Sequence, residues 1–376
     1  MMLSTNIDEK WMQLALSLSK RTRGSTWPNP NVGCVIVKDN RVIGEGWHVK
    51  SGHNHAEINA IEDVRNKHGT SSEELLRGSE VFVTLEPCSS TGKTPPCSEA
   101  LIKAGIKKVY IAQEDTSQEG LESLREANIE VEVGLLNDEA ITLNTGFFTR
   151  INEGRPFVTC KIACSLDGGI ALSNGESKWI TCKESRENSH QIRATSDAIL
   201  TGIGTVLKDN PSLTARIKNQ DFIDQGEHPL RCVVDSNLKI TGKEKILTDG
   251  HPTIIFTNKM QTRLDGENVS TVAKPGENNR VSLKGLVTHL GQMGINNLML
   301  EAGPALVDGM IKEELIDKFV FYMAPKILGA GKLNFSKLEG SLKNLGTIAL
   351  EVEEVEVIGD DLKVSIAPKY NRNEIK

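Results

Sequence analysis

Residues 55–97 constrain this chain more than any other stretch. They hold His55-Ala56-Glu57, then Pro87-Cys88, then Cys97. One imidazole and two thiolates suit a zinc ion, which keeps a fourth position for water when three protein groups hold it and lowers the pKa of that water toward neutrality. Structural zinc sites usually have four protein ligands, and no fourth stands out here, so the pattern reads as an open centre with His55, Cys88 and Cys97 as metal ligands. Glu57 is placed to move protons there. Taken singly, the pieces have ordinary readings: a His-x-Glu on a helix surface, or cysteines acting as small buried hydrophobes. Their order and context together carry the inference.

The surrounding sequence gives that centre a frame. Trp11, Leu14, Ala15 and Leu18 recur at helical spacing and predict an N-terminal helix. Pro28-Asn29-Pro30-Asn31 makes a turn. Strands are expected over 32–37 and 42–47, joined at Asp39-Asn40. A helix from about Ala56 has Ile58, Ile61 and Val64 on one face. A strand over 81–85 leads into Glu86-Pro87-Cys88. A helix near 98–104, a strand over 109–112, a helix near 121–127 and a strand over 129–133 follow. Such alternation gives a three-layer α/β unit. In it His55 and Glu57 open one helix, Cys88 follows a strand and Cys97 precedes another helix. Both positive helix ends then favour thiolates in a common pocket.

At 376 residues the chain suits two domains. The weakly patterned 137–155 stretch reads as the joint, giving domains over 1–148 and 149–376. Lys+Arg against Asp+Glu is 16 to 21 over residues 1–150 and 28 to 29 beyond, for a net charge of −6. Neither half has the basic balance of a nucleic-acid binder, and aromatic platforms are scarce at 4%. Seven cysteines, an odd number without disulfide-like spacing, point to a reducing compartment. No apolar run is long enough to cross a bilayer, and 7–19 reads as an amphipathic helix rather than a signal peptide. A cytoplasmic protein without membrane or nucleic-acid partners is expected.

The second half reads as another α/β unit. Strands are expected over 157–163, 198–201, 231–234, 253–257, 297–301 and 319–324. Helices are expected from a Thr181/Glu184 capping box to Arg193, over 283–293 and over 305–312. Gly359-Asp360-Asp361 marks a hairpin between 352–358 and 362–366, and the acidic run 351–356 reads as a strand with one solvated face. The G-x-G-x-x-G fingerprint is absent, since Leu207 stands where a third glycine would follow Gly202 and Gly204. Glu301-Ala302-Gly303-Pro304 between a strand and a helix does offer backbone N–H groups to a phosphate, although Gly-Pro there is also plain punctuation. Lys161 and Glu301 are ionisable at strand positions, where burial is costly without a partner or a purpose.

H-x-E…P-C-x-x-C is the signature of zinc nucleobase deaminases. This chain keeps its first half and departs in its second, with eight residues between Cys88 and Cys97. Pro28-Asn29-Pro30-Asn31-Val32-Gly33, His55-Ala56-Glu57, and Glu86-Pro87-Cys88 through Gly92-Lys93-Thr94-Pro95-Pro96-Cys97 resemble the bifunctional riboflavin-biosynthesis deaminase–reductases. The long Cys-to-Cys insertion separates that family from cytidine and tRNA-editing deaminases. Lys161 through Gly168, Gly175 through Thr181, Thr205 through Leu213, and Glu301 through Pro304 resemble its reductase half. The resemblance covers about residues 5–368.

It implies a cytidine-deaminase-like α/β/α sandwich followed by a dihydrofolate-reductase-like α/β domain, with Zn2+ in the first and NADPH in the second. The expected activity is zinc-dependent deamination of a phosphoribosylated diaminopyrimidinone, then reduction of its ribosyl group to ribityl. Zinc ligands are expected at His55, Cys88 and Cys97, and the proton shuttle at Glu57. Substrate contacts are expected at Asn29, His48, Lys93, Lys161, Ser177, Arg193, Leu213, Arg216 and Glu301, with Arg193 and Arg216 as phosphate anchors. NADPH contacts are expected at Ala163, Trp179, Thr205, Asp209, Ser236 and the turn Gly303, Pro304, Ala305, Leu306, Val307, Asp308 and Gly309. A homo-oligomer, dimer or tetramer, is expected. Two positions depart from the family: Ser90, where a histidine is frequent, and Gly169, where Lys or Arg is common. Competing readings are a single-function zinc nucleobase deaminase with a ligand-binding reductase-like domain, and a nucleic-acid editing deaminase. The charge balance and the Cys–Cys insertion count against the latter.

Overall fold

The computed structural model describes residues 7–22, 26–90, 95–115, 118–217, 228–260, 264, 266–338 and 348–370. Its contacts divide the chain into two compact units that part between Phe148 and Thr149.

In the first unit, α1 (Ile7–Ser19) precedes the hairpin β1 (Gly33–Lys38) and β2 (Arg41–Trp47), which turns through Asp39 and Asn40 at positive φ, as a two-residue hairpin requires. Then come α2 (Ala56–His68), α3 (Ser72–Leu76), β3 (Glu80–Val83), α4 (Cys97–Ala104), β4 (Lys108–Ile111), α5 (Gly120–Glu126), β5 (Glu130–Val133) and α6 (Asn137–Glu153). The sheet order is β2-β1-β3-β4-β5; β1 is antiparallel to β2 and β3, whereas β3, β4 and β5 run parallel. Strand alternation splits the apolar residues between two cores. Cys34, Ile36, Val81, Val83, Val109 and Ile111 pack with Ala60, Ile61, Val64, Leu101 and Leu124 from α2, α4 and α5 on one face. Val35, Val37, Phe82 and Tyr110 pack with Trp11, Met12, Ala15, Ala140 and Leu143 from α1 and α6 on the other. Each fully buried Leu, Ile or Val contributes about 1.5–3 kcal/mol. Gly46 fixes how α2 lies on β2: a Cβ there would stand 2.2 Å from the Ala56 carbonyl oxygen and 2.3 Å from the Ala60 nitrogen. Any side chain would push away the helix start that carries His55.

The 137–155 stretch is corrected from a weakly patterned joint to a helix. Asn137–Glu153 is one helical run broken by non-helical angles at Asn144. Only Ala140 and Leu143 supply it with fully buried apolar contacts, and the break shifts the period, so the apolar pattern is faint.

The second unit begins with β6 (Phe157–Ser165), β7 (Gly169–Ala171), α7 (Lys183–Ala194), β8 (Ala198–Gly202) and α8 (Ile203–Asp209). It continues with β9 (Leu230–Val234), α9 (Lys245–Thr248), β10 (Thr253–Thr257), β11 (Val269–Ala273), α10 (Leu283–Gln292), β12 (Asn297–Leu300) and α11 (Pro304–Lys312). It closes with β13 (Lys318–Ala324), β14 (Leu333–Asn334), β15 (Ala349–Ile358) and β16 (Asp361–Lys369). A nine-stranded sheet runs β11-β10-β9-β8-β12-β6-β13-β16-β15. Every pair from β11 to β13 is parallel, and β16 and β15 add on antiparallel. Ligands of such sheets bind outside the carboxyl ends of the strands, which here are the ends leading to Gly202, Ser236 and Glu301.

Two further expectations are corrected. The cap of α7 is Cys182, not Thr181: its Sγ accepts from the Ser185 backbone N–H at 3.4 Å, and its own N–H donates to the Asp361 carboxylate at 2.7 Å. The acidic run does form a strand, β15, but both of its faces are exposed. Val352, Val355 and Val357 are 59%, 59% and 71% exposed because β15 is the sheet edge. Their register partners Ile366, Val364 and Leu362 place them on one apolar face, while Glu354 and Glu356 pair with Lys363.

Candidate functional site

Two clusters concentrate chemistry, one in each unit. In the first, His55 is the N-cap of α2, Cys97 opens α4, and Cys88 lies in the loop beyond β3. The His55 Nδ1 atom stands 3.5 Å from Cys88 Sγ and 3.4 Å from Cys97 Sγ, and the three ligand atoms lie within 4.8 Å of one another. A tetrahedral zinc with Zn–S near 2.3 Å and Zn–N near 2.0 Å sets nitrogen and sulfur about 3.6 Å apart, so both distances and donor set fit zinc. The loop is held from below. The Glu86 carboxylate accepts from the backbone N–H of Asp115 and Leu121 at 3.1 and 2.9 Å, and Cys88 Sγ accepts from the Cys97 N–H at 3.4 Å.

The electrostatics match. Hydrogen bonds from Cys97 and His55 hold the Cys88 thiol down at about 4, and the hydrogen bond with Cys88 raises His55. Cys97 is pushed up by its hydrogen bond with Cys88 and by burial. Binding a metal therefore releases protons from this cluster. Glu57, 3% exposed, is pushed up to about 7, chiefly by burial. That places a proton donor and acceptor at the working pH.

Asn29 and His48 meet beside this cluster. His48 is buried, and its Nδ1–H donates to the Asn54 carbonyl at 3.1 Å, which leaves Nε2 to accept from the Asn29 amide at 3.0 Å. Burial lowers the His48 pKa, in keeping with a neutral ring. His48 and His55 rings meet edge to face at 5.2 Å between centroids. Sequence reasoning missed Asn144. At the break in α6 it accepts from the Asn31 N–H (2.9 Å) and donates to the Asn31 carbonyl (3.0 Å), clamping the turn that carries Asn29. Nothing local signals a pair 113 residues apart. Lys93 lies outside the described residues, and Ser90 is exposed.

In the second unit, a cleft of about 1480 Å³ opens at the carboxyl ends of the parallel strands. At one end Glu301, just past β12, accepts from Lys161 Nζ of β6 at 3.3 Å and from Arg193 of α7 through both Nε and Nη2. The Arg193 and Lys161 charges hold the buried Glu301 carboxyl far below its usual range. Arg193 also donates from Nη1 to the Thr214 carbonyl, so it is committed to protein partners. Arg216 is held by neutral groups instead: its Nη1 reaches Thr214 Oγ1 at 3.3 Å, while its Nη2 and backbone N–H face His190 Nε2 and Nδ1 at 3.0 and 3.3 Å. A neutral imidazole has one acceptor nitrogen, so only one of the two contacts to His190 is a hydrogen bond. Of the two expected phosphate anchors, Arg193 has the Glu301 carboxylate as its partner, whereas Arg216 has no carboxylate partner among the described residues. His190 was missed, although it sits three residues before Arg193 on the expected helix, hence on the same face.

Lys161, Ala163, Ser177, Arg193, Thr205, Asp209, Leu213, Ser236 and Glu301 line the cleft, as do Gly303, Pro304, Ala305, Leu306, Val307 and Gly309. Leu213 does so at φ +51 while buried, an unusual conformation for a branched side chain. Gly303 caps α11 with Pro304 in its first turn, and a Cβ at Gly303 would meet no protein atom within 4 Å. That leaves room for a pyrophosphate on the helix N-terminus. Asp308, Trp179 and Arg216 are not among the lining residues. Asp308 instead accepts from Ser336 Oγ and the Lys337 N–H, and Trp179 is exposed with the Arg186 guanidinium 4.4 Å over its ring. The Lys332 side chain crosses the space that a side chain at Gly169 would need and pairs with Asp167 at 3.3 Å.

Comparison with known proteins matches residues 5–113 to the cytidine and deoxycytidylate deaminase zinc-binding region and residues 156–364 to the RibD C-terminal domain. The riboflavin biosynthesis protein RibD of Aquifex aeolicus is 40% identical over 95% of this chain and 98% of its own length, and that of Escherichia coli is 37% identical over 94% and 98%. The solved RibD of Acinetobacter baumannii superposes with a TM-score of 0.87 at 35% identity, covering 97% of this chain and 99% of that one. A Thermotoga maritima diaminohydroxyphosphoribosylaminopyrimidine deaminase/5-amino-6-(5-phosphoribosylamino)uracil reductase gives a TM-score of 0.85 at 35% identity, covering 96% and 99%.

Proposed function

Because this chain belongs to the RibD family of bifunctional riboflavin-biosynthesis enzymes, we propose that residues 1–148 deaminate diaminohydroxyphosphoribosylaminopyrimidine and residues 149–376 reduce the 5-amino-6-(5-phosphoribosylamino)uracil that results. Similarity over both halves disfavours a deaminase with a merely ligand-binding companion. The family's cofactors are zinc and NADPH: zinc activates water for hydrolysis, and NADPH supplies hydride.

The chain's own groups do the rest. His55, Cys88 and Cys97 hold the metal. Glu57 accepts a proton and returns it to the departing amine at one carboxylate, which its near-neutral pKa allows. His48 fixes the Asn29 amide, whose paired donor and acceptor suit a pyrimidine edge. In the second unit, Lys161, Glu301 and Arg193 form a charged floor at the reacting end, Ser177 and Leu213 border the substrate, and Arg216 takes its phosphate. Gly303 to Val307 and Gly309 hold the pyrophosphate, with Ala163, Thr205, Asp209 and Ser236 along the dinucleotide; Trp179 covers it from outside, and Lys93 contacts the deaminase substrate's phosphate. We place the protein in the cytoplasm as a homo-oligomer joined through the exposed apolar face of β15 and β16.

The observation that carries this reading is the His55–Cys88–Cys97 triangle with buried Glu57 beside it. The test is a Glu57→Gln variant assayed for zinc, ammonia and NADPH. Retained zinc, ammonia release down at least about 100-fold, and normal NADPH oxidation on supplied deaminated product are expected. Unchanged ammonia release would refute the shuttle, and no NADPH oxidation by intact protein would refute the second activity.

A further inference from the structure

Arg231, on β9, is fully buried, and neither proposed activity uses it. A guanidinium carries five N–H donors in a planar fork, and this one meets four acceptors. Nη1 donates to the Asp249 carboxylate at 2.7 Å and to the Ser212 carbonyl at 3.1 Å. Nη2 donates to the His251 carbonyl, and Nε reaches the Pro252 carbonyl at 3.5 Å. Apolar residues of similar volume often match a buried ion pair in stability, so stability alone does not call for a charge here. What an apolar side chain cannot do is hold three backbone carbonyls in set directions.

One of those carbonyls bears on the cleft. The Ser212 C=O belongs to the peptide plane that precedes Leu213. Because a peptide is planar, turning that carbonyl changes ψ of Ser212 and φ of Leu213 together. Leu213 stands at φ +51. Branched residues seldom occupy that region, and they persist there only where the surroundings over-determine the backbone.

Here the surroundings do so from both sides. Arg231 holds the Ser212 carbonyl, and Arg193 Nη1 donates to the Thr214 carbonyl at 3.2 Å. Upstream, Asn210 Oδ1 accepts from the Lys245 N–H at 2.8 Å, in the first residue of α9. Asp249, the partner of Arg231, caps the other end of that helix. The 210–214 segment is therefore fastened to one short helix twice, by the Asn210 side chain and through the Arg231–Asp249 pair. Held in this way, Leu213 is 4% exposed. It joins the buried cluster of Ile199, Val206, Val233 and Met299 and lines the cleft with Pro211, Arg193 and Glu301, whereas Arg231 is not among the lining residues.

We propose that Arg231 is a positioning residue for the reduction: by fixing the Ser212 carbonyl it holds Leu213 in the left-handed conformation and so shapes the wall against which the phosphoribosyl substrate lies. The proposal rests on reading this unit as the reductase, with Leu213 bordering its substrate. With the carbonyl released, Leu213 relaxes toward the negative φ that branched residues prefer, and the wall loses its one fixed shape. The dinucleotide half of the cleft does not depend on that wall.

Steady-state kinetics of the full chain on supplied 5-amino-6-(5-phosphoribosylamino)uracil test it. Arg231→Met/Asp249→Asn removes both charges together, so that neither is left buried alone. KM should rise at least about tenfold, while kcat and the calorimetric affinity for NADPH stay within about twofold. Placed in a Leu213→Ala background, the same pair of substitutions should raise KM no further, because the side chain it misplaces is already gone. An unchanged KM, an equal loss of kcat and NADPH affinity, or a fully additive rise in the Leu213→Ala background would overturn the positioning role. Asp249→Asn alone keeps the guanidinium and decides the matter if the double variant does not fold. It should raise KM about threefold, and no rise would count against the proposal. Failure of the wild type to oxidise NADPH on the supplied substrate would instead remove the underlying reading of this unit.

Discussion

At the scale of single residues, burial sets the chemistry. Glu57 is pushed up to about 7 chiefly because its carboxyl is buried, and His190 goes the opposite way for the same reason. Burial first, then the Arg193 and Arg216 charges, lower His190 from 6.5 to about 4. The unfolded chain therefore takes up that proton before the folded one does. His190 costs stability as pH falls from about 6.5 toward 4 and costs nothing above that window. His190→Gln, which keeps an acceptor and loses the titration, should make denaturant unfolding less sensitive to acid between pH 6.5 and 4; equal sensitivity would show that the ring does not titrate as described. His190→Leu removes the acceptor that aims Arg216. We expect KM for the phosphoribosyl substrate to rise about tenfold with little change in kcat or in NADPH affinity, and His190→Gln to restore most of it. A loss confined to kcat would contradict a positioning role.

At the scale of elements, the helix starts at His55 and Cys97 were readable because the apolar period of α2 and the alternation of strands and helices agreed locally. The α6 helix was not, because its apolar pattern is sparse and broken at Asn144. That break has a use. It lets the Asn144 amide face Asn31 and hold the Asn29 turn beside His48. Asn144→Ala leaves a buried N–H and carbonyl unpaired, which costs about 1–3 kcal/mol. A lower unfolding midpoint and reduced ammonia release, with unchanged NADPH oxidation on supplied product, are expected. If both activities fell together, the clamp would not be specific to the first site. The cap of α7 shows the same limit in reverse. Thr181 and Glu184 satisfy the capping-box spacing, yet Asp361, 179 positions from Cys182, draws in the Cys182 N–H and moves the cap by one residue.

At the scale of the molecule, each unit holds its own complete cluster, so the two activities should separate. Cys88→Ser should abolish zinc binding and ammonia release while leaving reduction of supplied product within about twofold, as expected for clusters that share no residues. The edge strand β15 carries valines that a solvated edge would not favour. Val355→Lys with Val357→Lys should lower the assembly state in sedimentation, and an unchanged state would place the contact elsewhere. The sequence by itself determined the candidate metal triad His55, Cys88 and Cys97, the candidate proton carrier Glu57, the alternation of both units and the Gly-Pro turn before α11. Each of these depends on residue type and near-neighbour spacing. Only the tertiary structure decided that Arg193 pairs with Glu301 while Arg216 meets His190, that Asn144 bonds the Asn31 turn, and that Lys239, Arg280 and Lys284 line one cleft. Those outcomes depend on pairings across the sheet order, where the partners lie tens to more than a hundred residues apart and no local period records them.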